Sequence, residues 1–223
     1  MRNRLVLSNI PFDSMEDDNN IKTFLDTLKS QDRDYGVQLP SATAARLGEY
    51  YRTLEGWNSR LHLVAPCSPA EFATRHVLES LFLLHHLPPE ATIVDVGSGA
   101  GLPIIPCLIV RGDLCATLVE SSKKKTIFLR EVLKRTGIAN SATVVAEQFQ
   151  QIARFDADFL TCRALDRFEA KLADIIAWSS QSSTLLLYGG NSLGRKLDQL
   201  AVNFKQELLP NSDQRFLFIA QRS

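Results

Sequence analysis

The sequence predicts an α/β fold with a mostly parallel sheet. From residue 88 onward, short segments rich in β-branched residues alternate with helical segments, and turn or capping residues separate them. Strands that are joined through helices form right-handed βαβ units, which place neighbouring strands parallel. The residues before position 88 show helical periodicity instead, so we expect an N-terminal helical segment beside the sheet.

The composition fits a globular chain of 223 residues, of which 45% are hydrophobic. Lys plus Arg equals Asp plus Glu at 25 each, which argues against a uniformly basic surface but allows one basic face. No secretory signal is evident, and no apolar run reaches the ~18–20 residues that span a bilayer. We therefore expect a soluble, cytoplasmic protein.

The cysteines show no C-x-x-C pair and no histidine at metal-ligand spacing, so we expect reduced core residues and no metal site. They are Cys67, Cys107, Cys115 and Cys162.

We expect three regions along the chain: a flexible arm over 1–20, a helical segment over 21–87 and a sheet domain over 88–223. The arm is polar and acidic, and helical periodicity becomes clear over 44–57. A capping box at Ser68-Pro69-Ala70-Glu71 predicts the start of a further helix. The Pro88-Pro89 pair ends that helix.

Strands are predicted at 92–96, 115–119, 142–146, 158–162, 184–188, 204–208 and 215–220. Helices are predicted at 102–111, 122–136 and 167–178, the last with a capping box at Asp166-Arg167-Phe168-Glu169. The last two strands form an antiparallel hairpin in this prediction. Ligands of such sheets bind at the carboxyl ends of the strands, where we look for the functional residues.

A glycine loop follows the first strand, with Gly97, Gly99 and Gly101 at alternate positions. Because glycine has no Cβ, such a loop can turn tightly and lie against a ligand. Position 102 is Leu, so the dinucleotide fingerprint G-x-G-x-x-G is incomplete, and the Lys-Ser/Thr pair of a P-loop is missing. Asp95 ends the strand and suits a cationic group better than a phosphate. The loop therefore indicates S-adenosylmethionine.

Two further residues end predicted strands at the same edge. Glu120 can accept hydrogen bonds from ribose hydroxyls, and the alternative is a solvated acid at a strand end. Arg163 can bind a phosphate or the cofactor's carboxylate through its planar fork, and the alternative is a structural salt bridge.

A basic helix is predicted directly after Glu120. A solvated face is the ordinary interpretation, and contact with RNA becomes a candidate only if the substrate is RNA. Its candidate RNA-binding residues are Lys123, Lys124, Lys125 and Arg130. His76 lies on an apolar helix face, where a buried structural histidine competes with a ligand or catalyst.

These residues, in this order, resemble the glucose-inhibited division protein B family of small-subunit rRNA (guanine-N7) methyltransferases. The similarity is carried by Trp57-Asn58, Arg75-His76 with Glu79-Ser80, the run from Asp95 to Pro103, Phe128-Leu129-Arg130 and Arg163-Ala164. The resemblance implies a class I S-adenosylmethionine-dependent methyltransferase, Rossmann-like, with a seven-stranded mostly parallel sheet over 88–223. It implies methyl transfer to guanine N7 of 16S rRNA, in free RNA or in the small ribosomal subunit.

The resemblance implies cofactor contacts by Gly97, Leu102, Gln148, Phe149 and Arg163. These add to the candidates at the strand ends and in the glycine loop, which also include Asp95, Gly99, Gly101 and Glu120. We expect Arg163 to orient the cofactor or the target nucleotide, which makes it the candidate catalytic residue. Methylation at N7 removes no proton, so no general base is expected. We expect a monomer.

The chain departs from the family pattern in three places, the first being Leu61-His62-Leu63-Val64, where the family tends to carry Tyr-Asn-Leu-Thr. Glu147 replaces an arginine and Gly189 replaces a lysine, which removes two positive charges near the expected site. These departures leave two alternatives open: a methyltransferase of the same fold with a small-molecule or protein substrate, and a non-catalytic module that binds the cofactor or RNA.

Overall fold

A seven-stranded sheet organises the chain, which we describe over residues 14–163 and 168–222 of a computed structural model. The strands are β1 (Thr92–Val96), β2 (Cys115–Val119), β3 (Ala142–Val145), β4 (Phe159–Cys162), β5 (Thr184–Gly189), β6 (Asn203–Leu208) and β7 (Phe216–Gln221). Their order in the sheet is β3-β2-β1-β4-β5-β7-β6. The first five are parallel, and β7 runs antiparallel to β5 and β6. The predicted α/β class and all seven predicted strands are confirmed.

Helices connect and cover the strands. They are α1 (Ser14–Gln31), α2 (Ser41–Leu61), α3 (residues 69–86), α4 (Ile104–Val110), α5 (Lys123–Arg135), α6 (Phe168–Trp178) and α7 (Asn191–Gln199). In α3 the central part, Phe72–Leu78, is π-helical. The predicted start of this helix is confirmed, because Ser68 Oγ accepts from the Glu71 N–H at 3.1 Å and caps the first turn.

Two helices differ from the sequence prediction. Helix α1 begins at Ser14, so residues 14–20 of the predicted arm are helical. Helix α7 was not predicted, because its apolar positions are few and two glycines precede it. The capping box predicted at 166–169 lies outside the described residues and side chains.

The strand order reverses between β1 and β4, which lie side by side at the centre of the sheet. Asp95 of β1 is paired in register with Leu118 of β2 and Thr161 of β4. The carboxyl ends of these three strands therefore bring the glycine loop, Glu120 and Arg163 to one edge, where ligands of this architecture bind.

The helices before residue 88 share a hydrophobic core with the sheet. Tyr50 and Phe72 belong to the same buried cluster as Ile104, Leu118 and Phe128. The helical segment is thus packed as part of the sheet's own core, and the boundary at 87/88 stays a prediction.

The cysteines are not all core residues as predicted. Cys107 and Cys162 are buried, whereas Cys67 is half-buried and Cys115 is exposed. Within the described ranges, the helices are all too short or too polar to cross a membrane.

Candidate active site

The glycine loop uses the conformational freedom of its glycines. Gly97, Gly99 and Gly101 have φ values of 74°, 49° and 82°, in the left-handed region that other residues rarely adopt. A Cβ at Gly101 would lie 2.3 Å from Cδ1 of Ile105, so this glycine lets helix α4 pack against the loop. A Cβ at Gly99 would meet nothing closer than the Gly97 carbonyl oxygen at 3.6 Å. The main chain at Gly99 is therefore open to a ligand.

Backbone hydrogen bonds fasten the loop to the neighbouring strand. The N–H groups of Gly97 and Ser98 both donate to the carbonyl of Val119, at 2.9 and 3.2 Å. The Gly101 N–H donates to the Ser98 carbonyl at 2.6 Å and closes a tight turn. The loop thus has a defined shape at the end of β1.

Glu120 holds the loop against helix α5. Its Oε2 accepts from the Gly99 N–H at 2.9 Å, and its Oε1 accepts from the Ser122 N–H at 2.7 Å. The side chain is nearly buried, so the alternative of a solvated acid is wrong. Each carboxylate oxygen has a further lone pair for a hydroxyl donor. The ribose contact stays a prediction, while the bonds to the loop were not foreseen.

Asp95 lies inside the protein rather than on the rim. It has 0% exposure, and Thr161 Oγ1 donates to its Oδ1 at 2.7 Å. Its Oδ2 is buried and has no hydrogen-bond partner among the described residues. Burial raises the pKa of this carboxyl to about 7, since the charged form is poorly solvated there. A cationic ligand nearby would favour the ionised form.

A cavity of about 150 Å³ lies beside the loop. Its lining includes Gly97, Val119, Ser121, Glu147, Gln148 and Phe149. Phe149 is buried and contacts the ring of Trp178 edge to face, with centroids 5.8 Å apart. The cavity therefore gathers predicted cofactor residues from the ends of β1 and β3, and its lining residues Val119 and Ser121 flank Glu120 in the sequence. Leu102, also predicted, is buried where the loop enters α4.

These features fit S-adenosylmethionine. Gly99 offers open main chain, the cavity offers space for part of a nucleoside beside residue 120, and Asp95 offers a buried carboxyl oxygen without a partner. A cationic nucleoside matches all three, whereas a phosphate would be repelled by the carboxylate of Glu147, which lines the cavity.

Arg163 is held by helix α3. It donates to Glu79 Oε2 at 3.0 Å, to Ser80 Oγ at 3.3 Å and to the Arg75 carbonyl. Its guanidinium carbon also lies 4.9 Å from the ring centroid of Tyr188, a cation–π distance. The structural salt bridge is therefore present. Contact between Arg163 and a ligand stays a prediction.

Glu79 is the unforeseen centre of this cluster. Its side chain is completely buried, and its second oxygen accepts from Arg215 Nε at 2.7 Å. Tyr188 donates its hydroxyl to the Glu79 carbonyl at 2.9 Å. In the sequence, the only sign was the Glu79-Ser80 pair in the family resemblance, which carries no information about partners.

The basic residues lie on the helix that follows Glu120. Lys123, Lys124 and Arg130 are exposed, Lys125 is half-buried, and Arg130 donates to the Val144 carbonyl at 3.2 Å. The three lysines occupy the first turn of α5, which has no acidic residue. Cations at a helix N-terminus oppose the helix dipole, at a cost of about 0.3–1 kcal/mol each. A nearby polyanion would offset this cost.

His76 packs against Phe72, with ring centroids 5.1 Å apart. Its Nδ1 is buried and lacks a hydrogen-bond partner in the described part of the chain. Burial, followed by the charge of Arg163, lowers its pKa to about 4. The ring is therefore neutral at pH 7.

The departures from the family pattern at Glu147 and Gly189 have different surroundings. Glu147 is exposed at the cavity. At Gly189 a Cβ would lie 2.6 Å from Leu193 Cδ2, so a lysine here requires helix α7 to shift. The packing of α7 thus accounts for glycine at this position.

Comparisons with known proteins identify the family of the chain. The sequence profile of the GidB family, described as rRNA small subunit methyltransferase G, matches residues 43–215. The chain is 36% identical over 169 residues to the ribosomal RNA small subunit methyltransferase G of Sorangium cellulosum, covering 73% of this chain and 70% of that protein. It is 41% identical over 160 residues to the enzyme of that name from Xanthomonas euvesicatoria, covering 71% of each.

A comparison of structures supports the fold. A SAM dependent methyltransferase from Aquifex aeolicus superposes with a TM-score of 0.52 at 13% identity, covering 64% of this chain and 89% of that one. At such low identity this likeness concerns the architecture alone.

Proposed function

The chain belongs to the GidB family of rRNA small subunit methyltransferases G, and we propose on this premise that it transfers the methyl group of S-adenosylmethionine to guanine N7 of 16S rRNA. The observation that carries the proposal is the open main chain at Gly99 beside the cavity at Gly97 and Phe149. It gives the nucleoside cofactor a place at the switch point of the sheet.

Different residues around this place bind different parts of the cofactor. Gly97, Gly99 and Gly101 let the main chain approach, Glu120 accepts from the ribose, and Asp95 provides negative charge toward the sulfonium. Gln148 and Phe149 supply contacts from the cavity lining, and Leu102 from the end of the glycine loop. When bound, S-adenosylmethionine supplies an electrophilic methyl group.

The reaction requires that the methyl donor and the guanine be positioned, and it requires no proton transfer. The N7 lone pair of guanine forms the new N–C bond while the S–C bond breaks, and no proton leaves the base. Neither Asp95 nor His76 therefore has to serve as a general base. Holding donor and acceptor in line is the protein's main contribution.

Arg163 is the candidate for orienting the target nucleotide or the cofactor's carboxylate. A guanidinium has five N–H donors, and Ser80, Arg75 and Glu79 take three of those on Arg163. The other two N–H groups have no hydrogen-bond partner within residues 14–163 and 168–222, and we propose that they bind an oxygen of the ligand. Because α3 fixes the guanidinium, its direction is preset before the ligand arrives.

The RNA backbone is proposed to lie along Lys123, Lys124, Lys125 and Arg130. N7 faces the major groove, which is too narrow in A-form RNA for side chains to enter, so the target lies in a loop or an opened helix. The partner is 16S rRNA or the small subunit, met in the cytoplasm by a monomer.

The test is methyl transfer from labelled S-adenosylmethionine to free 16S rRNA and to isolated small subunits. Nuclease digestion and mass spectrometry should then show 7-methylguanosine in one of the two. Cofactor binding by calorimetry without transfer to RNA would contradict the proposal. Transfer to a protein or small molecule would then favour a same-fold enzyme, and no transfer at all a binding module.

A further inference from the structure

Helix α2 makes a direct hydrogen bond to the glycine loop. The hydroxyl of Tyr50 donates to the carbonyl of Ala100 at 2.9 Å, and the two residues are 50 positions apart in the sequence. Tyr50 is 0% exposed and Ala100 is 6% exposed, so water does not compete for this bond. A buried carbonyl that loses its donor costs about 1–3 kcal/mol.

Ala100 lies where the loop needs outside support. Its neighbours Gly99 and Gly101 both have positive φ, and glycines restrict their own backbone least of all residues. The other hydrogen bonds of residues 97–101 come from the sheet domain itself. Within residues 14–163 and 168–222, Tyr50 supplies the one hydrogen bond from α1–α3 to these five residues.

Tyr50 is itself immobilised. Its ring lies 6.2 Å from that of Phe72 in α3, and both rings are buried. Burial also raises the pKa of the Tyr50 hydroxyl well above its ordinary value, so the hydroxyl remains a donor throughout the physiological range. The donor is therefore fixed in place and in protonation state.

We propose that Tyr50 is a positioning residue of the cofactor site, which fixes the Ala100 carbonyl and thereby keeps the Gly99–Gly101 main chain in its ligand-binding shape. The inference rests on the proposed placement of the cofactor at this loop. It makes helix α2 part of the cofactor site, although α2 contributes none of the predicted cofactor contacts.

The test compares Tyr50→Phe with Tyr35→Phe. Tyr35 is equally buried and donates its hydroxyl to a backbone carbonyl, that of Pro210 at 3.2 Å, so its variant loses a similar bond away from the loop. If the loop without Tyr50 is binding-competent only part of the time, the apparent Kd rises by the reciprocal of that fraction. We expect Tyr50→Phe to raise the Kd for S-adenosylmethionine about fivefold and Tyr35→Phe to leave it unchanged.

Calorimetry measures the Kd for S-adenosylmethionine of each protein under conditions in which the same fraction of each is folded. An unchanged Kd in Tyr50→Phe, or an equal rise in Tyr35→Phe, overturns the inference while leaving the proposed function standing. Absence of binding by the wild type overturns both. In activity measurements, Tyr50→Phe should raise the KM for the cofactor and leave the KM for RNA unchanged.

The wild type offers a second measurement that does not depend on the variant's folding. Coupling between two sites is reciprocal, so a bound cofactor should stabilise the Tyr50–Ala100 bond in turn. Hydrogen exchange of the peptide that contains Tyr50 should slow at saturating S-adenosylmethionine. Exchange that does not change in this peptide overturns the inference.

Discussion

Arg163 and Glu79 form an ion pair of 3.0 Å across 84 residues of sequence, and the carboxylate is completely buried. The pair joins the end of strand β4 to helix α3. Because the same carboxylate also binds Arg215 at 2.7 Å, two guanidinium groups are fixed by one acid. The direction of Arg163 at the candidate active site is thus determined by a helix that precedes the sheet.

Arg163→Ala should reduce methyl transfer more than stability. Glu79 keeps Arg215 as a partner, so we expect the free energy of unfolding to fall by less than the roughly 3–5 kcal/mol that an unpaired buried charge costs. A misplaced reactant, by contrast, costs about 100-fold in rate. The measurements are urea denaturation and single-turnover transfer to rRNA. Arg111→Ala is the matched control, because Arg111 also binds an acid, Asp113, and backbone carbonyls. Equal losses of rate in both variants would make Arg163 structural.

Gly99→Ala should weaken cofactor binding with little loss of stability. The strain of an alanine at positive φ is about 1–2 kcal/mol, and within the protein a Cβ here meets nothing closer than 3.6 Å. Gly137→Ala is the matched control, since Gly137 has φ 70° and no atom within 4 Å of its Cβ position. We expect similar melting temperatures and a raised Kd for S-adenosylmethionine in Gly99→Ala alone. A wild-type Kd in that variant would remove the loop from the cofactor site.

The free energy of unfolding should fall as the pH rises from about 4 to about 7, because Asp95 loses its proton over this interval more readily in the unfolded chain. Its pKa is about 7 in the folded protein against 3.8 for the free side chain, so the folded state binds the extra proton over this interval. Folding is therefore favoured below the unfolded pKa, and up to about 1.4 kcal/mol per pH unit is lost as the pH approaches 7. Urea denaturation at several pH values should give a flatter profile in Asp95→Asn than in the wild type. Parallel profiles would show that Asp95 is ionised well below pH 7.

Lys123→Glu combined with Lys124→Glu should weaken RNA binding and reduce its salt dependence. Removing two phosphate contacts lowers the slope of log K against log salt by about 1.4–1.8. Filter binding to 16S rRNA over a range of KCl concentrations measures this. Lys29→Glu, an exposed lysine on helix α1, is the control and should keep the wild-type slope. A slope unchanged in the double variant would place the RNA elsewhere.

Local signals predicted the sheet well and the site in part. Each predicted strand ends within one residue of the observed one, since alternating and β-branched patterns report directly on burial. The rule that ligands lie at carboxyl ends of strands also brought the glycine loop, Glu120 and Arg163 together. Helix α7 escaped prediction because its only apolar side chains are two leucines, and the early start of α1 escaped it because its first two turns are mostly polar and acidic.

The contacts that give these residues their surroundings could not be inferred from the sequence. Glu79 reaches Arg163 and Tyr50 reaches Ala100 across 84 and 50 residues. Asp95 was expected at the rim, yet its pairing with Thr161 places it inside. Such relationships depend on how helices pack over the sheet, and no spacing within one segment encodes them.

The edge-to-face contact between Phe149 and Trp178 gives the chain an intrinsic fluorophore one side chain away from the cavity. The sequence contains one other tryptophan, Trp57, whose indole N–H donates to Glu131 at 3.1 Å. Replacing Trp57 by Phe would leave Trp178 as the only indole emitter. Quenching or a spectral shift on titration would then report cavity filling in real time, without a label or an RNA substrate.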